Sequence, residues 1–409
     1  MSSSTSSRLK TRTLASHPHG DQVCQILEAA LHAADPAAAV ARHLLLSGNT
    51  LTVGDREYDL SQVAHIYLVG AGKAGAPMAL AAAAILADRL TAGLVIVKEG
   101  YEFRGVPRPS QLKIIAAGHP LPDQRGVDAT RELLSLLDGA SANDLILCLL
   151  SGGASALLTA PAAGILLPDL QQLTSLLLRS GADIGEINTL RKHLDTVKGG
   201  GLLQTVAPAR VISLILSDVI GDPLDIIASG PTVADASTFA QALDILRKYA
   251  VSSRISPSIL THLEQGAAGA VAETLILDDP LINLVQNLVI GSNRQAAQGA
   301  AQTAAALGFN TRLLSTPLQG EARLVGRILA QAAHDLAGST SPLPRPACLI
   351  AGGETTVTVQ GDGLGGRNQE LALAAVEPMN GLADTLLITL ATDGGDVPTD
   401  DAGALVSGE

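Results

Sequence analysis

The chain has 409 residues, more than one hydrophobic core usually organises, which predicts two domains. Apolar residues make up 47% of it but aromatic residues only 2%, so Ala, Leu, Ile and Val must fill the core. The formal net charge of -12 argues against non-specific nucleic-acid binding, which requires a basic surface. We therefore expect small-molecule partners and no nucleic acid.

Cysteine usage and the N-terminal segment indicate the compartment. Cys24, Cys148 and Cys348 lie far apart in apolar runs, which predicts free thiols and a cytoplasmic location. Residues 1–20 are rich in Ser and lack the apolar centre of a signal peptide, so we expect a disordered tail. The uncharged run 145–168 is long enough for a bilayer, but Gly and Pro divide it into short elements and no membrane span is expected.

Strand and helix patterns alternate along the first 250 residues. Residues 21–47 predict an amphipathic helix and a second short one. Strands are predicted at 65–69, 93–97, 113–117, 144–150 and 211–216, with helices at about 75–90, 125–137 and 185–198. This alternation predicts right-handed βαβ units, and hence a Rossmann-like parallel sheet with helices on both faces.

A second α/β domain with a mixed sheet is predicted in the C-terminal part. Its strands are expected at 284–290, 311–314, within 348–359 and at 385–391, with helices after 294, at 321–337 and at 368–377. A helix is predicted at 238–263, broken near 252–257, and the polar region 250–283 is the predicted boundary. The predicted organisation is a tail at 1–20, an N-terminal domain at 21–250 and a C-terminal domain at 284–409.

The first candidate binding motif is VGAGKAG at residues 69–75, between a strand and a helix. Gly70, Gly72 and Gly75 fit the dinucleotide pattern, and Glu99 follows at the end of the next strand. Backbone N–H groups at a helix N-terminus also attract phosphate or carboxylate, and Lys73 adds a positive charge there. An ordinary tight turn with Lys73 in water remains an alternative.

The second motif joins a strand, a glycine-rich loop and a helix. Gly353 and Glu354 end the predicted strand, and Gly366 ends the loop. Asn368 is a candidate cap for the helix that follows. Arg367 stands just before the helix N-terminus, where anions collect, and a guanidinium can bind phosphate through two N–H groups. A plain hairpin with a surface arginine remains open.

Six segments in this order resemble the class II glycerate kinases, whose C-terminal domain carries the MOFRL name: VGAGKAG, CLLSGGASALL, NTLRKHLDTVKGGGL, LSDVIGDPLDIIASGPT, AGGETTVTVQGDGLGGRNQELAL and LATDGGDVPTDDAGA. The resemblance runs from about Asp21 to the last residue. It implies phosphorylation of D-glycerate by ATP with Mg²⁺, usually at the 2-hydroxyl, in a cleft between the domains. It also implies that Lys73 and Arg367 are catalytic. Family members usually continue past the position of Glu409, so the expectation is either a truncated C-terminal domain or the lack of a late element.

Phosphoryl transfer depends mainly on positioning and charge stabilisation, which a Lys, an Arg and a metal ion can supply. Hydroxyl, amide and ammonium groups elsewhere are further candidates for binding glycerate or phosphate. Carboxylates at strand ends are candidates for Mg²⁺, which favours one or two of them with phosphate and water. The binding candidates are Ser151, Gly152, Gly153, Ser155, Asn188, Lys192 and Lys198. The metal candidates are Asp218, followed by Asp222 and Asp225 on the same loop, and Asp393, accompanied by Asp396 and Asp400.

A purely structural role remains an alternative for each of these residues: a strand-end turn, a solvated helix face or a helix cap. His193 is a weak candidate for a general base. An NAD(P)H-dependent hydroxypyruvate reductase would use residues 70–75 for pyrophosphate and Glu99 for ribose. Against it, Lys73 is unusual inside such a loop, and the Arg367 loop is given no role. A non-catalytic sensor of phosphorylated metabolites also fits. The hydroxyl phosphorylated and the oligomeric state stay open, a homodimer being one option.

Overall fold

The computed structural model describes residues 9–103, 105–338, 343–396, 399 and 401–409. Residues fall into two compact units. One unit is Pro36–Ile290, and the other joins the described part of Met1–Asp35 to Gly291–Glu409. This division differs from the predicted boundary at 250–283. The strand predicted at 284–290, which was expected to begin the C-terminal domain, belongs to the sheet of the Pro36–Ile290 unit.

Strands and helices alternate through most of the described chain. The strands are β1 (Leu44–Ser47), β2 (Thr50–Val53), β3 (Arg56–Asp59), β4 (His65–Ala71), β5 (Ala92–Lys98), β6 (Leu112–Ala117), β7 (Asp144–Ser151), β8 (Arg210–Leu216), β9 (Val285–Gly291), β10 (Asn310–Glu321), β11 (Ala347–Thr356), β12 (Leu386–Leu390) and β13 (Gly403–Ser407). The helices are α1 (Arg12–Ser16), α2 (Gly20–Ala34), α3 (Pro36–His43), α4 (Gly75–Leu86), α5 (Gln124–Leu136), α6 (Ala154–Leu157), α7 (Leu167–Arg179), α8 (Ile184–His193), α9 (Gly201–Val206), α10 (Phe239–Lys248), α11 (Pro257–Ala267), α12 (Asn293–Ala306), α13 (Ala322–Ala337) and α14 (Arg367–Met379).

The Pro36–Ile290 unit is built on a six-stranded sheet with the order β6-β5-β4-β7-β8-β9. The pairings from β6 through β8 are parallel, which confirms the Rossmann-like prediction. Strands β5 and β6 lie on one side of β4, and strands β7, β8 and β9 lie on its other side. The order therefore reverses between β4 and β7, where open α/β sheets leave a crevice at the carboxyl ends of their strands.

Both faces of this sheet are buried, as the nearly continuous apolar strands predict. Leu68, Val95 and Leu147 face a cluster that contains the alanine side of α4. Ile146 and Cys148 belong to the cluster on the opposite face. Small alanine side chains let the helix backbone approach the sheet closely, which is how a core with few aromatic residues is filled.

Two features of this unit were not predicted. Strands β1, β2 and β3 form an antiparallel sheet where the sequence indicated only helix up to residue 47. Helix α8 ends at His193, before the predicted end at 198.

The second unit has two separate strand pairs in the described part of the chain, rather than the predicted mixed sheet. Strands β10 and β11 pair in parallel, and β12 and β13 pair antiparallel. Helices α13 and α14 pack together where Gly326 approaches the backbone of Leu371 so closely that a Cβ atom would lie 2.2 Å from its carbonyl oxygen. Helix α2 packs on α12, and α1 lies inside the segment expected to be a tail.

The three cysteines are free thiols, as predicted. Within the described ranges, none of the helices combines the length and the apolar character that a bilayer span needs.

Candidate active site

The turn after β4 is held tightly against β7 and β5. A Cβ atom on Gly72, whose φ is +138°, would lie 2.0 Å from the hydroxyl oxygen of Ser151. A Cβ atom on Gly70 would lie 2.1 Å from the Leu149 carbonyl oxygen, and one on Gly75 would lie 2.8 Å from Cγ1 of Val95. Only glycine fits such approaches, so the three predicted glycines serve the packing of strand, turn and helix.

Hydrogen bonds lock this turn to the one after β7. The Lys73 N–H donates to the carbonyl of Gly152 at 2.8 Å, and the Ala74 N–H donates to the Ser151 hydroxyl at 3.1 Å. The N–H groups of Gly72 and Gly75 are also used, by carbonyls of Ile96 and of Gly72 itself. The first turn is therefore not the cradle of free N–H groups that the glycine pattern indicated, and its attraction for anions rests on the Lys73 ammonium.

Free N–H groups are found instead on the turn after β7. In the described part of the chain, no acceptor bonds to the N–H groups of Gly153, Ala154 and Ser155. Gly153 is left-handed, with φ +85°, and Ala154 continues in helical conformation. Successive N–H groups in such a left-handed to right-handed sequence form a concave anion-binding nest.

The Lys73 side chain lies beside this nest. A Cβ atom on Gly153 would lie 3.5 Å from Cγ of Lys73, so the lysine passes over the turn. Within the residues that the structure describes, its ammonium forms no ion pair or hydrogen bond, although the side chain is partly buried. A cation held beside unused N–H donors is suited to bind an anionic oxygen.

His119 is a residue of this edge that the sequence analysis did not single out. It follows β6, and a Cβ atom on Gly153 would lie 2.8 Å from its Cδ2 and 2.9 Å from its Nε2. Burial, and then the charges of Lys73 and Lys98, lower the pKa of His119 to about 4. The signal available in the sequence was its position directly after a strand at the ligand edge.

Asp218 lies at the same edge, after β8. A Cβ atom on Gly152 would lie 1.9 Å from its Oδ2, so the carboxylate rests against the Gly152 backbone. The side chain is exposed. Among the described residues no group of three His, Cys, Asp or Glu side chains is arranged to hold a metal ion.

A buried hydrogen-bond chain joins three polar side chains next to the turn. The Ser229 hydroxyl donates to Oδ1 of Asn188 at 3.2 Å, and its oxygen lies 3.1 Å from the Ser155 hydroxyl. Ser229 and Ala228 both have positive φ, of 60° and 55°, although neither is glycine. Strained backbone of this kind persists where the surroundings enforce it, often at functional sites. The structure thus brings the predicted residues Ser155 and Asn188 together through Ser229.

The two predicted lysines of this region are engaged in buried ion pairs. Lys192 bonds to Asp235 at 3.0 Å and lies 3.8 Å from Asp225. Lys198 bonds to Asp195 at 2.6 Å and to the carbonyl of Leu158 at 2.8 Å. Burial lowers the pKa of the Lys198 ammonium, and the Asp195 charge opposes that shift.

The role of Lys198 in this structure is structural, which differs from the expectation that it binds substrate. Its side chain is 2% exposed, and its charge is already paired. His193 is likewise occupied, since Nδ1 bonds to the Thr189 carbonyl and Nε2 to Glu273. Neither group is available for a substrate without breaking a buried contact.

The second motif lies in the other unit. The Arg367 guanidinium pairs with Glu354, and both side chains are about half exposed. Gly353 lies against the carbonyl of Leu318, where a Cβ atom would come within 2.0 Å. The structure thus brings Glu354 and Arg367 together from the strand and the helix of the motif.

The N-terminus of α14 does not match its expected role as an anion site. The Asp396 carboxylate accepts the N–H groups of Asn368 at 3.0 Å and Gln369 at 2.8 Å, so it caps this helix. A Cβ atom on Gly366 would lie 2.3 Å from Asp396 Cγ, so the approach requires glycine. The helix is therefore capped by Asp396 and not by Asn368. An external anion would have to bind the Arg367 side chain.

Of the other metal candidates, Asp393 is exposed in the loop that follows β12. Asp400 lies outside the described residues.

Comparisons with known proteins agree with the predicted resemblance. A domain of unknown function, DUF4147, matches residues 22–264, and the MOFRL family matches residues 347–409. A protein of Pyrococcus horikoshii named glycerate 2-kinase is 40% identical over 93% of this chain and 83% of its own length. The chain belongs to the MOFRL family of glycerate kinases. A D-glycerate 2-kinase of Thermotoga maritima is 42% identical over 84% of this chain and 78% of its own.

The fold of the family is also seen in a solved structure. The crystal structure of a glycerate kinase from Thermotoga maritima matches with a TM-score of 0.82 and 38% identity, covering 95% of this chain and 86% of that one. Membership of the family and the parallel sheet predicted from the sequence are thus confirmed.

Lys73 and Lys198 offer a matched test of which lysine is structural. Lys198→Met leaves the Asp195 carboxylate buried without its partner, so we expect a loss of about 3–5 kcal/mol in the free energy of unfolding. Lys73→Met removes an ammonium that pairs with no described residue, and we expect a change within about 0.5 kcal/mol. Urea denaturation followed by circular dichroism measures both. Equal stability of the two variants would contradict these assignments.

Proposed function

We propose that this chain transfers the terminal phosphoryl group of ATP to the 2-hydroxyl of D-glycerate in the cytoplasm. The proposal is carried by the Lys73 ammonium, which pairs with no described residue, beside N–H groups of Gly153, Ala154 and Ser155 to which no described acceptor bonds. These groups stand where the strand order reverses, in a chain of the glycerate kinase family. An ATP-dependent kinase needs positive charge and N–H donors at such a point, because the transferred group carries negative charge on its oxygens.

Lys73 would neutralise charge on the transferred group. The two hydrogen bonds between the turns fix the lysine backbone, so its charge needs no reorganisation during the reaction. The buried Ser155–Ser229–Asn188 chain lies beside the same turn and is proposed to bind the acceptor through its hydroxyl and amide groups. Lys192 follows Asn188 by one turn on α8, pairs with Asp235 and is kept as a supporting residue.

Mg²⁺ is part of the proposal through Asp218. A carboxylate against Gly152 stands next to the turn proposed for the phosphate, and Mg²⁺ commonly binds one or two carboxylates plus phosphate oxygens and water. A site completed by the substrate agrees with the lack of a three-residue ligand group among the described residues. The ion would supply positive charge to the phosphate oxygens. Asp393 of the other unit is kept as a separate metal candidate.

Arg367 is proposed to stabilise a phosphoryl group during its transfer. Its pairing with Glu354 orients the guanidinium, and five N–H donors leave enough for phosphate oxygens after one carboxylate is bound. Because the α14 N–H groups are occupied by Asp396, this role depends on the side chain alone.

The reductase alternative is less well supported. Glu99, its candidate for the ribose, pairs with Arg125 at 3.1 Å, and Arg125 also binds Asp123 at 2.7 Å. The N–H groups of residues 72–75 that would bind a pyrophosphate are used within the protein. A sensor without catalysis would bind phosphate at the same turn and would be separated from a kinase by turnover.

The direct test is an ADP-release assay with ATP, Mg²⁺ and D-glycerate, with the product resolved as 2- or 3-phosphoglycerate. We expect 2-phosphoglycerate from the wild-type chain. Lys73→Met and Arg367→Met should each lower kcat by about 10²–10³-fold, because each removes a charge that stabilises the transferred group. Arg125→Met, which removes a paired surface arginine, is the matched control and should keep kcat.

Binding and reductase assays complete this test. Lys73→Met that still binds nucleotide but has lost turnover favours the enzyme over the sensor. NADH oxidation with hydroxypyruvate, in the absence of ADP release, would overturn the kinase proposal.

The metal proposal has its own variant pair. Asp218→Asn removes one charge from the proposed ligand, so the Mg²⁺ concentration that gives half-maximal rate should rise roughly tenfold or more. Asp222→Asn changes a carboxylate of the same loop and should leave that concentration unchanged. Identical Mg²⁺ titrations for Asp218→Asn and the wild type would exclude Asp218 as the ligand.

A further inference from the structure

His119 and Lys73 flank the same point of the turn after β7. The nearest imidazole atoms to a Cβ atom built on Gly153 are Cδ2 at 2.8 Å and Nε2 at 2.9 Å, and Lys73 Cγ lies 3.5 Å from that position. The Nε2 edge of the ring therefore faces the turn whose N–H groups are unused. A side chain other than glycine at residue 153 would collide with this edge.

The imidazole is also unusual in having no partner. In the described part of the chain, neither ring nitrogen of His119 forms a hydrogen bond. By contrast, His65 bonds to Asp144 at 2.8 Å, and His193 uses both of its nitrogens. A partly buried ring that faces an anion-binding turn, with both nitrogens unused, has its hydrogen-bonding capacity available for a ligand.

We propose that His119 is a substrate-contacting residue, whose ring nitrogen donates a hydrogen bond to an anionic oxygen bound at the Gly153–Ser155 turn beside Lys73. The inference rests on the proposed kinase function and adds a residue to its site. The shared chemistry is an anionic oxygen, which the terminal phosphate of ATP and the carboxylate of glycerate both carry.

The charges around His119 predict how it responds to a ligand. Burial and then the charges of Lys73 and Lys98 oppose its protonation. Two carboxylates lie against neighbouring glycines, Asp123 against Gly118 and Asp218 against Gly152. Its pKa of about 4 keeps the free ring neutral near pH 7. A bound anion favours the protonated ring, so the pKa rises on binding. Anion affinity therefore increases as pH falls towards 4, and this additional affinity is lost as pH rises through the pKa of the bound state, which leaves the affinity of the neutral ring.

Kinetics of paired variants test the contact. His119→Ala removes the donor, and kcat/KM should fall about 10–100-fold, the effect of one hydrogen bond to a charged group. His119→Gln retains an N–H donor and should recover part of that loss. His65→Gln makes the same change at the opposite edge of the sheet and should leave both KM values unchanged. A rise in KM for ATP assigns the contact to the phosphate, and a rise in KM for glycerate assigns it to the carboxylate.

A binding measurement separates this inference from the proposed function. Calorimetric titration with sulfate, which keeps its double charge between pH 5 and pH 7, requires no turnover. The wild-type chain should bind sulfate more tightly at pH 5 than at pH 7, and His119→Gln should lose that difference. If the wild type shows this pattern but releases no ADP, the kinase proposal fails and the contact stands. If His119→Ala matches the wild type in kinetics and in sulfate binding, the contact is overturned.

Discussion

The contact on which the site depends is the junction between the turns after β4 and β7. Two hydrogen bonds, from Lys73 N–H to the Gly152 carbonyl and from Ala74 N–H to the Ser151 hydroxyl, hold these turns together where the strand order reverses. Each bond needs a close approach that Gly72 permits. Because the junction consumes the N–H groups of the first turn, the second turn supplies the free donors and the first supplies the charge.

Because the two turns supply different groups, a single lysine ammonium next to the free N–H groups is enough to make the site positive. Two further lysines next to the site, Lys192 and Lys198, are neutralised by buried carboxylates, so their positive charge supports the fold around the turn. Lys73 alone of the three forms no ion pair with a described residue. The same principle operates in the other unit, where Asp396 neutralises the start of α14 and leaves Arg367 to act through its side chain.

The parallel sheet was predictable because apolar runs and glycine turns are local signals. The turns after β4 and β7 were also predictable as neighbours, since carboxyl ends of parallel strands share an edge. Local sequence patterns could not predict which charged side chains pair with each other in the folded chain. Asp195 closes on Lys198, and Asp396 reaches the start of α14, only once the chain is folded.

The domain boundary was missed for a related reason. The sequence of strand β9 was interpreted as the first strand of a new domain, yet β9 is the edge strand of the six-stranded sheet. Helix α2 reads as part of the first domain, but it buries its apolar face against α12. His119 was overlooked because a single histidine after a strand carries no pattern until its neighbours Gly153 and Lys73 are known.

The most direct measurement of the central claim is a crystal structure of the chain with Mg²⁺ and a non-hydrolysable ATP analogue. The account requires the terminal phosphate to lie within hydrogen-bond distance of Lys73 Nζ and of the N–H groups at residues 153–155. A triphosphate bound away from both turns, with Lys73 directed into solvent, would contradict it.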